Sequence, residues 1–501
     1  MAKYKKYNYS QTVLLPVSLT EQLMPGTLEF AIHTLVEERM DMSRFDAKFK
    51  NDETGRKAYD PKVLLKAVLL AYSRGIIHSR KIERACKENV VFMALTCGQE
   101  PDHSTIAAFV SNLKEEIKPL FRDVLLVCEE MKLLGGTEFS LDGCKLPSNA
   151  SMRWSGTFST LKEKKEKIER RVAYILEEQI EADRREGKDG SEETKRSRHI
   201  EKLKKHAARI EKFLQENEPK PGKLYKEVRS NVTDNESAML YTSHGTIQGY
   251  NAQALVDAKH QVIVEGEAFG WGQDHTHVPP VLEGAKENMQ ALGHDDDYFE
   301  GAIVTADVSY HSTINIKKCE DEKVDAYIPD RYYRGRDPRF EKQRGKQRRF
   351  ELSDFSYNEE TDRYECPNGK VLKLNARKSK HKDKWYRSYK ADENDCSRCE
   401  LRNRCIAQKR AKRKVLMVQI NKNGINYSRQ MIAKIDSERG RELYSHRTAI
   451  VEPVFANIRT QKKLDCFTLR GKIKVTIQWL LYCMVHNIEK IANFGHEFVV
   501  V

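Results

Sequence analysis

Residues 137–142 read Thr-Glu-Phe-Ser-Leu-Asp, and residues 302–307 read Ala-Ile-Val-Thr-Ala-Asp. The first alternates polar and apolar residues, the period of a strand with one face buried. The second is a short apolar run, the kind that lies in the middle of a sheet. Each stretch ends in an aspartate, so both are read as strands carrying a carboxylate at their end. An acid at a strand end is often only a turn former. The chemistry therefore depends on whether the two strands are neighbours.

Residues 249–258 and 261–270 read as the two strands of a β-hairpin around Lys259-His260, and a helix follows Pro280 (VLEGAKENMQAL). A helix starts near Ser312 after Asp307, and Val324 to Pro329 forms another strand. Residues 160–217 interrupt this series. Leu161, Ile168 and Ile175 are seven apart, and Ile200, Leu203, Ala207, Ile210 and Leu214 step by three and four. Gly187 to Gly190 separates the two runs, so this segment is an antiparallel helical hairpin. Its many Lys and Arg residues suit either DNA or a dimer contact between solvated coiled coils. Without the hairpin the order is strand, two strands, helix, strand, helix, strand. The expected fold class is α/β, an RNase H-like mixed sheet.

Before the sheet, residues 1–135 read as all-helical. Asp60-Pro61 supplies a capping carboxylate and a proline at the first helical position. KVLLKAVLLAYS follows and stops at Gly75, and further helices begin near Ser79, Ser104 and Pro119. Arg80, Lys81 and Arg84 fall on one short helix, which suits either helix-turn-helix DNA contact or simple helical packing. The expected divisions are a helical DNA-binding domain at 1–135, core pieces at 136–159 and 218–330, and the hairpin at 160–217. A basic insertion follows at 331–420, then a helical end of the core at 421–501.

The balance of 88 Lys+Arg against 74 Asp+Glu leaves +14, which points to a polyanion such as DNA or RNA. No secretory leader and no run of about 18 apolar residues is visible, so a cytoplasmic, nucleoid-associated bacterial protein with no membrane partner is expected. The eleven cysteines are unevenly placed, which favours a metal site over a disulfide framework. Cys366, Cys396, Cys399 and Cys405 lie within forty residues, and four thiolates suit a closed, tetrahedral, structural Zn²⁺. The insertion would then be zinc-ribbon-like; reduced, unliganded thiols are the plainer alternative. The remaining cysteines are expected mostly in apolar helices as core residues. His275 and His277 could ligate a metal, but a loop before the next helix explains them more simply.

Glu452, in HRTAIVEPVFANIR, shares a helical face with Phe455 and Arg459. Read alone, it is also an ordinary first-turn glutamate before Pro453. A family resemblance bears on it. The chain resembles the DDE transposases of bacterial insertion sequences in four segments: residues 60–109 (DPKVLLKAVLL through DHSTIAAF), FSLDGCKLPSNAS, TADVSYHS, and 451–491 (VEPVFANIRTQKKLDCFTLRGK through VHNIEKI). The resemblance implies Asp142, Asp307 and Glu452 as ligands of Mg²⁺ (or Mn²⁺). Two metals about 3.5–4 Å apart would activate the nucleophile and steady the leaving oxygen. It also implies a Tyr-Arg-Glu-Lys signature that holds a DNA end, here Tyr444, Arg447, Glu452 and Arg459. One extra residue separates Arg447 from Glu452, and Arg459 replaces the lysine. The implied reaction cleaves the terminal inverted repeats of an element and joins the freed ends to double-stranded target DNA. A homodimer would hold the two ends together. The alternatives are a domesticated, non-catalytic zinc-bearing DNA-binding protein and an RNase H-like nuclease without strand transfer.

Overall fold

The structure, a computed structural model, describes residues 18–48, 58–185, 190–222, 226–271, 273–343, 350–381, 384–406, 408, 410–420 and 426–495. The chain opens with six helices: α1 (Leu28–Thr34), α2 (Pro61–Ser73), α3 (Ser79–Glu88), α4 (Val90–Leu95), α5 (His103–Ser111) and α6 (Ile117–Glu130). Side-chain caps fix several of their starts. Asp60 accepts from the Lys62 N–H at 2.8 Å, and Asp102 accepts from Ser104 and Thr105. Gly75, at φ +70°, ends the turn after α2 in the left-handed region that glycine tolerates. α6 starts at Ile117, so Pro119 sits inside its first turn rather than opening it.

β1 (Glu138–Pro147) follows, then α7 (Phe158–Arg185) and α8 (Gly190–Glu216). These two helices form the expected hairpin, with Leu161, Val172 and Ile175 buried against a seam that includes Ile200 and Ile210. The glycine-bounded turn between them lies outside the described residues. Next come β2 (Ala238–Thr242), β3 (Gly245–Asp257), β4 (Ile263–Phe269), α9 (Val278–Ala291), β5 (Ile303–Ala306), α10 (Thr313–Asp321) and β6 (Asp325–Tyr327). β2 is an extra strand that the sequence reading did not anticipate. α9 begins two residues before Pro280, with prolines in its first turn where an N–H has no helical partner.

These strands form one sheet in the order β6–β5–β1–β3–β2, with β4 also on β3. β6, β5 and β1 are parallel, while β3 is antiparallel to β1, β2 and β4. A second, five-stranded antiparallel sheet comprises β7 (Ser356–Asn358), β8 (Arg363–Glu365), β9 (Val371–His381), β10 (Lys384–Lys390) and β11 (Val415–Ile420), in chain order. The chain then turns helical through α11 (Tyr427–Asp436), α12 (Glu438–Ala456) and α13 (Lys472–Phe494).

α13 is the hub of the large core. It packs against α2, α6 and β4, so the N-terminal helices and the six-stranded sheet share one hydrophobic cluster. Two of its buried side chains hydrogen-bond to the sheet. Asn487 accepts from the Ile263 N–H and donates to the Ile263 carbonyl, both at 2.8 Å, and Trp479 donates to the Gln253 carbonyl at 2.8 Å. No helix among the described residues is long and apolar enough to cross a membrane.

Candidate active site

β1 does not end at Asp142. It runs five residues further, paired with β3 alone. The parallel pairing with β5 does stop there, since Leu141 is opposite Ala306. Asp142 and Asp307 are thus the next residues on adjacent parallel strands, which lie about 4.8 Å apart. Asp307 caps a short 3₁₀ turn by accepting from the Ser309 N–H and hydroxyl, each at 2.6 Å. Asp142 accepts from the Gly143 N–H at 2.8 Å.

Arg447, on α12, reaches across to this pair. Its guanidinium donates to Asp142 at 2.8 Å and lies 3.9 Å from Glu452. Burial pushes the Asp142 carboxyl up to about 6; Arg447 opposes the rise and the Asp307 charge adds to it. Glu452 itself lies well inside the 19-residue α12, with Pro453 within the helix, so it is no first-turn glutamate. Its side chain is 60% exposed. It opens onto a cavity of about 510 Å³ shared with Phe455, Arg459 and Lys463, which places Glu452, Phe455 and Arg459 on a common face. Asp307 opens instead onto a neighbouring cavity of about 520 Å³ with Tyr333, Arg334, Tyr444 and Arg447. Asp142, Asp307 and Arg447 are brought together, Glu452 meets them through Arg447, and Tyr444 lines the Asp307 side. Among the described residues no three Asp, Glu, His or Cys side chains already stand in metal-ligating array.

Behind the aspartates lies a polar network that the sequence reading missed. Tyr310 donates to Gln253, Gln253 donates to Asp274 at 3.2 Å, and Asn251 donates to Asp274 at 2.6 Å. Gly143 makes room for it, because a Cβ there would sit 2.0 Å from the Gln253 amide nitrogen. The available signal was Asn251 and Gln253, two residues apart in the buried stretch 250–256 that is otherwise apolar. His277 is fully buried and stacks on Phe269 at 4.3 Å, as a packing residue at the start of α9.

Arg80, Lys81 and Arg84 are all exposed on α3, and Arg84 is held by Glu88 at 2.8 Å. The four grouped cysteines converge from separate turns. Cys366 follows β8, Cys396 and Cys405 lie in short helical turns, and with Cys399 they line one small cavity of about 30 Å³. Backbone N–H groups of Lys370 and Lys414 point at the sulfurs of Cys366 and Cys396, at 3.3 and 3.5 Å. Burial pushes the Cys405 thiol up, and the other three thiols raise it further while Lys414 opposes them. The four thiols share this lining, but among the described residues no group of three or more His, Cys, Asp or Glu side chains is placed to hold a metal ion. The other cysteines are less uniform than expected. Cys97 is exposed and Cys466 half-buried, and Cys144 lies on β1; Cys86, Cys128, Cys319 and Cys483 are buried in helices.

Comparison with known families gives the class first. Residues 365–492 match a transposase DDE domain, a span that contains Glu452, Arg447 and the four cysteines but neither Asp142 nor Asp307. Residues 17–112, the first five helices, match a second family described as a transposase domain (DUF772). Two segments of the chain are thus similar to transposase domains, and the two matches together support a DDE transposase of an insertion sequence. No curated protein matches the chain.

Proposed function

We propose that the protein cleaves the ends of its own insertion sequence and joins them to target DNA, with Asp142, Asp307 and Glu452 holding Mg²⁺ or Mn²⁺. One observation carries this reading: Leu141 opposite Ala306 puts both aspartates at the same level of adjacent parallel strands. The sheet order, with a three-stranded antiparallel half beside a parallel half, supports an RNase H-like core. Carboxylates fixed on a packed sheet are suited to hard cations that keep some of their own water. When bound, two such ions activate the attacking oxygen and stabilise the leaving one.

The chain's own residues do the rest. Arg447 pins the Asp142 carboxylate and screens it from Asp307, so the two acids can sit close together. Asp142 must shed its proton to ligate, so occupancy rises with pH through about 6. Tyr444 and Arg447 line one cavity and Arg459 the other, giving DNA contacts on both sides of the acids. The four thiols would hold a structural Zn²⁺ that ties the second sheet together, and a homodimer would bring two DNA ends into one complex. Asp142→Asn should abolish Mg²⁺-dependent cleavage of DNA carrying the sequences that flank the gene, while DNA binding persists. Retained cleavage sinks the assignment.

A further inference from the structure

The second sheet has one covered face and one open face. Leu372, Tyr389, Leu416 and Val418 bury their side chains in a small core beside the cysteines. On the open side lie Lys373, Lys390, Val415 and Met417, all exposed. Lys373 stands directly opposite Lys390 across the β9–β10 ladder. Like charges in that position repel, so the arrangement costs stability unless an anion lies over it.

The ribbon extends the same charge. Beyond Leu372, β9 has no neighbour except β10, and this ribbon carries exposed Arg377, Lys378 and Lys380 on β9 and exposed Lys384 on β10. Lys378 also sits over the Trp385 ring at 4.9 Å. No described residue from 371 to 390 is acidic; Asp383 lies outside the described residues. Among the described residues Lys373, Arg377, Lys384 and Lys390 make no ion pair. Lysines on an edge strand do discourage edge-to-edge pairing. That explanation does not reach Lys390, which lies on an inner strand hydrogen-bonded on both sides.

We infer that the β9–β10 ribbon and the open face at Lys373 and Lys390 form a DNA-backbone grip, separate from the carboxylate site and from α3. A two-stranded ribbon has the dimensions to lie along a duplex groove, and its spaced cations suit successive phosphates without selecting sequence. The inference rests on the reading of the chain as a DNA transposase.

The test is fluorescence anisotropy of the full-length protein with a duplex of arbitrary sequence across a range of KCl concentrations. Each lost phosphate contact lowers the slope of log affinity against log salt by about 0.9, so Lys373→Gln, Arg377→Gln, Lys384→Gln and Lys390→Gln combined should lower it by roughly 2 to 4. The charge-keeping set Lys373→Arg, Lys384→Arg and Lys390→Arg should keep the wild-type slope. An unchanged slope in the glutamine set overturns the grip alone, and so does loss of binding in the arginine set. A slope change seen only with duplex RNA of the same length assigns the surface to RNA and overturns the DNA assignment. No binding of duplex DNA by the wild-type protein takes down the grip and the transposase reading together.

Discussion

The two sheets hold their functional side chains by different means. The six-stranded sheet is packed on both faces. Gly266 of β4 faces α13, where a Cβ would meet the Cys483 sulfur at 2.9 Å. Its neighbour Glu265 turns to α9, at Gly284 and Asn288. The five-stranded sheet has a small core, an open face and four thiols at its edge. Apolar burial at roughly 25 cal/mol per Å² can fix the aspartates of the first sheet without help. The second has a much smaller buried core, and the proposed Zn²⁺ on its four thiols would add to that support. The proposed catalytic pair has the first kind of support, whereas the proposed polyanion surface stands on the second.

Four measurements test whether the two sheets differ in this way. The largest effect is expected at the rigid sheet's chemistry. Asp307→Asn should reduce cleavage to background with the melting temperature kept, whereas residual Mg²⁺-dependent cleavage would place the acids elsewhere. Next, Cys396→Ser or a strong chelator should expose 355–420 to proteases while the large core stays folded, because structural zinc sites supply about 10–16 kcal/mol. An unaltered digestion pattern removes the metal from the second sheet. Third, Trp479→Ala in α13 should cost about 3–5 kcal/mol. The N-terminal helices and the large sheet should then melt in one transition, since they share a cluster; two separated transitions would show independent cores.

The smallest effect concerns Glu265. Burial raises its carboxyl from 4.5 to about 8. Between those values the folded chain still holds a proton that the unfolded chain has released. Its contribution is therefore complete below pH 4.5, is lost as pH rises towards 8, and is flat above. Glu265→Gln keeps an acceptor for Asn288, which donates to it at 2.6 Å. The variant should melt at the wild-type temperature near pH 4.5 and above it at pH 8. A constant difference across that range would mean Glu265 does not titrate in the folded protein.

Much of the fold was legible because its signals are local. The alternation in 137–142, the apolar run at 302–306, the caps Asp60 and Ser312 and the heptads of the hairpin each follow from a few adjacent residues. Local signals also misplaced some ends. Asp142 reads as a strand terminus because the polar-apolar alternation of 137–142 ends there, yet β3 continues the pairing to Pro147. Glu452 reads as a helix start because Pro453 follows, yet the helix begins fourteen residues earlier. Proline inside a helix forfeits one hydrogen bond, and packing of Ile450, Val451 and Val454 into the core offsets that loss.

By itself, the sequence determined most of the helices, the strands that lead to Asp142 and Asp307, which acids and thiols are candidates, and a net charge that suits an anionic partner, since period, composition and charge are properties of neighbouring residues. The tertiary structure alone decided that Asp142 and Asp307 stand level on adjacent strands and that Arg447 bridges towards Glu452. It also decided that four thiols from separate turns share one cavity, and that Lys373 faces Lys390. Register and convergence arise only when distant segments pair, and one residue of slip would turn each side chain to the opposite face.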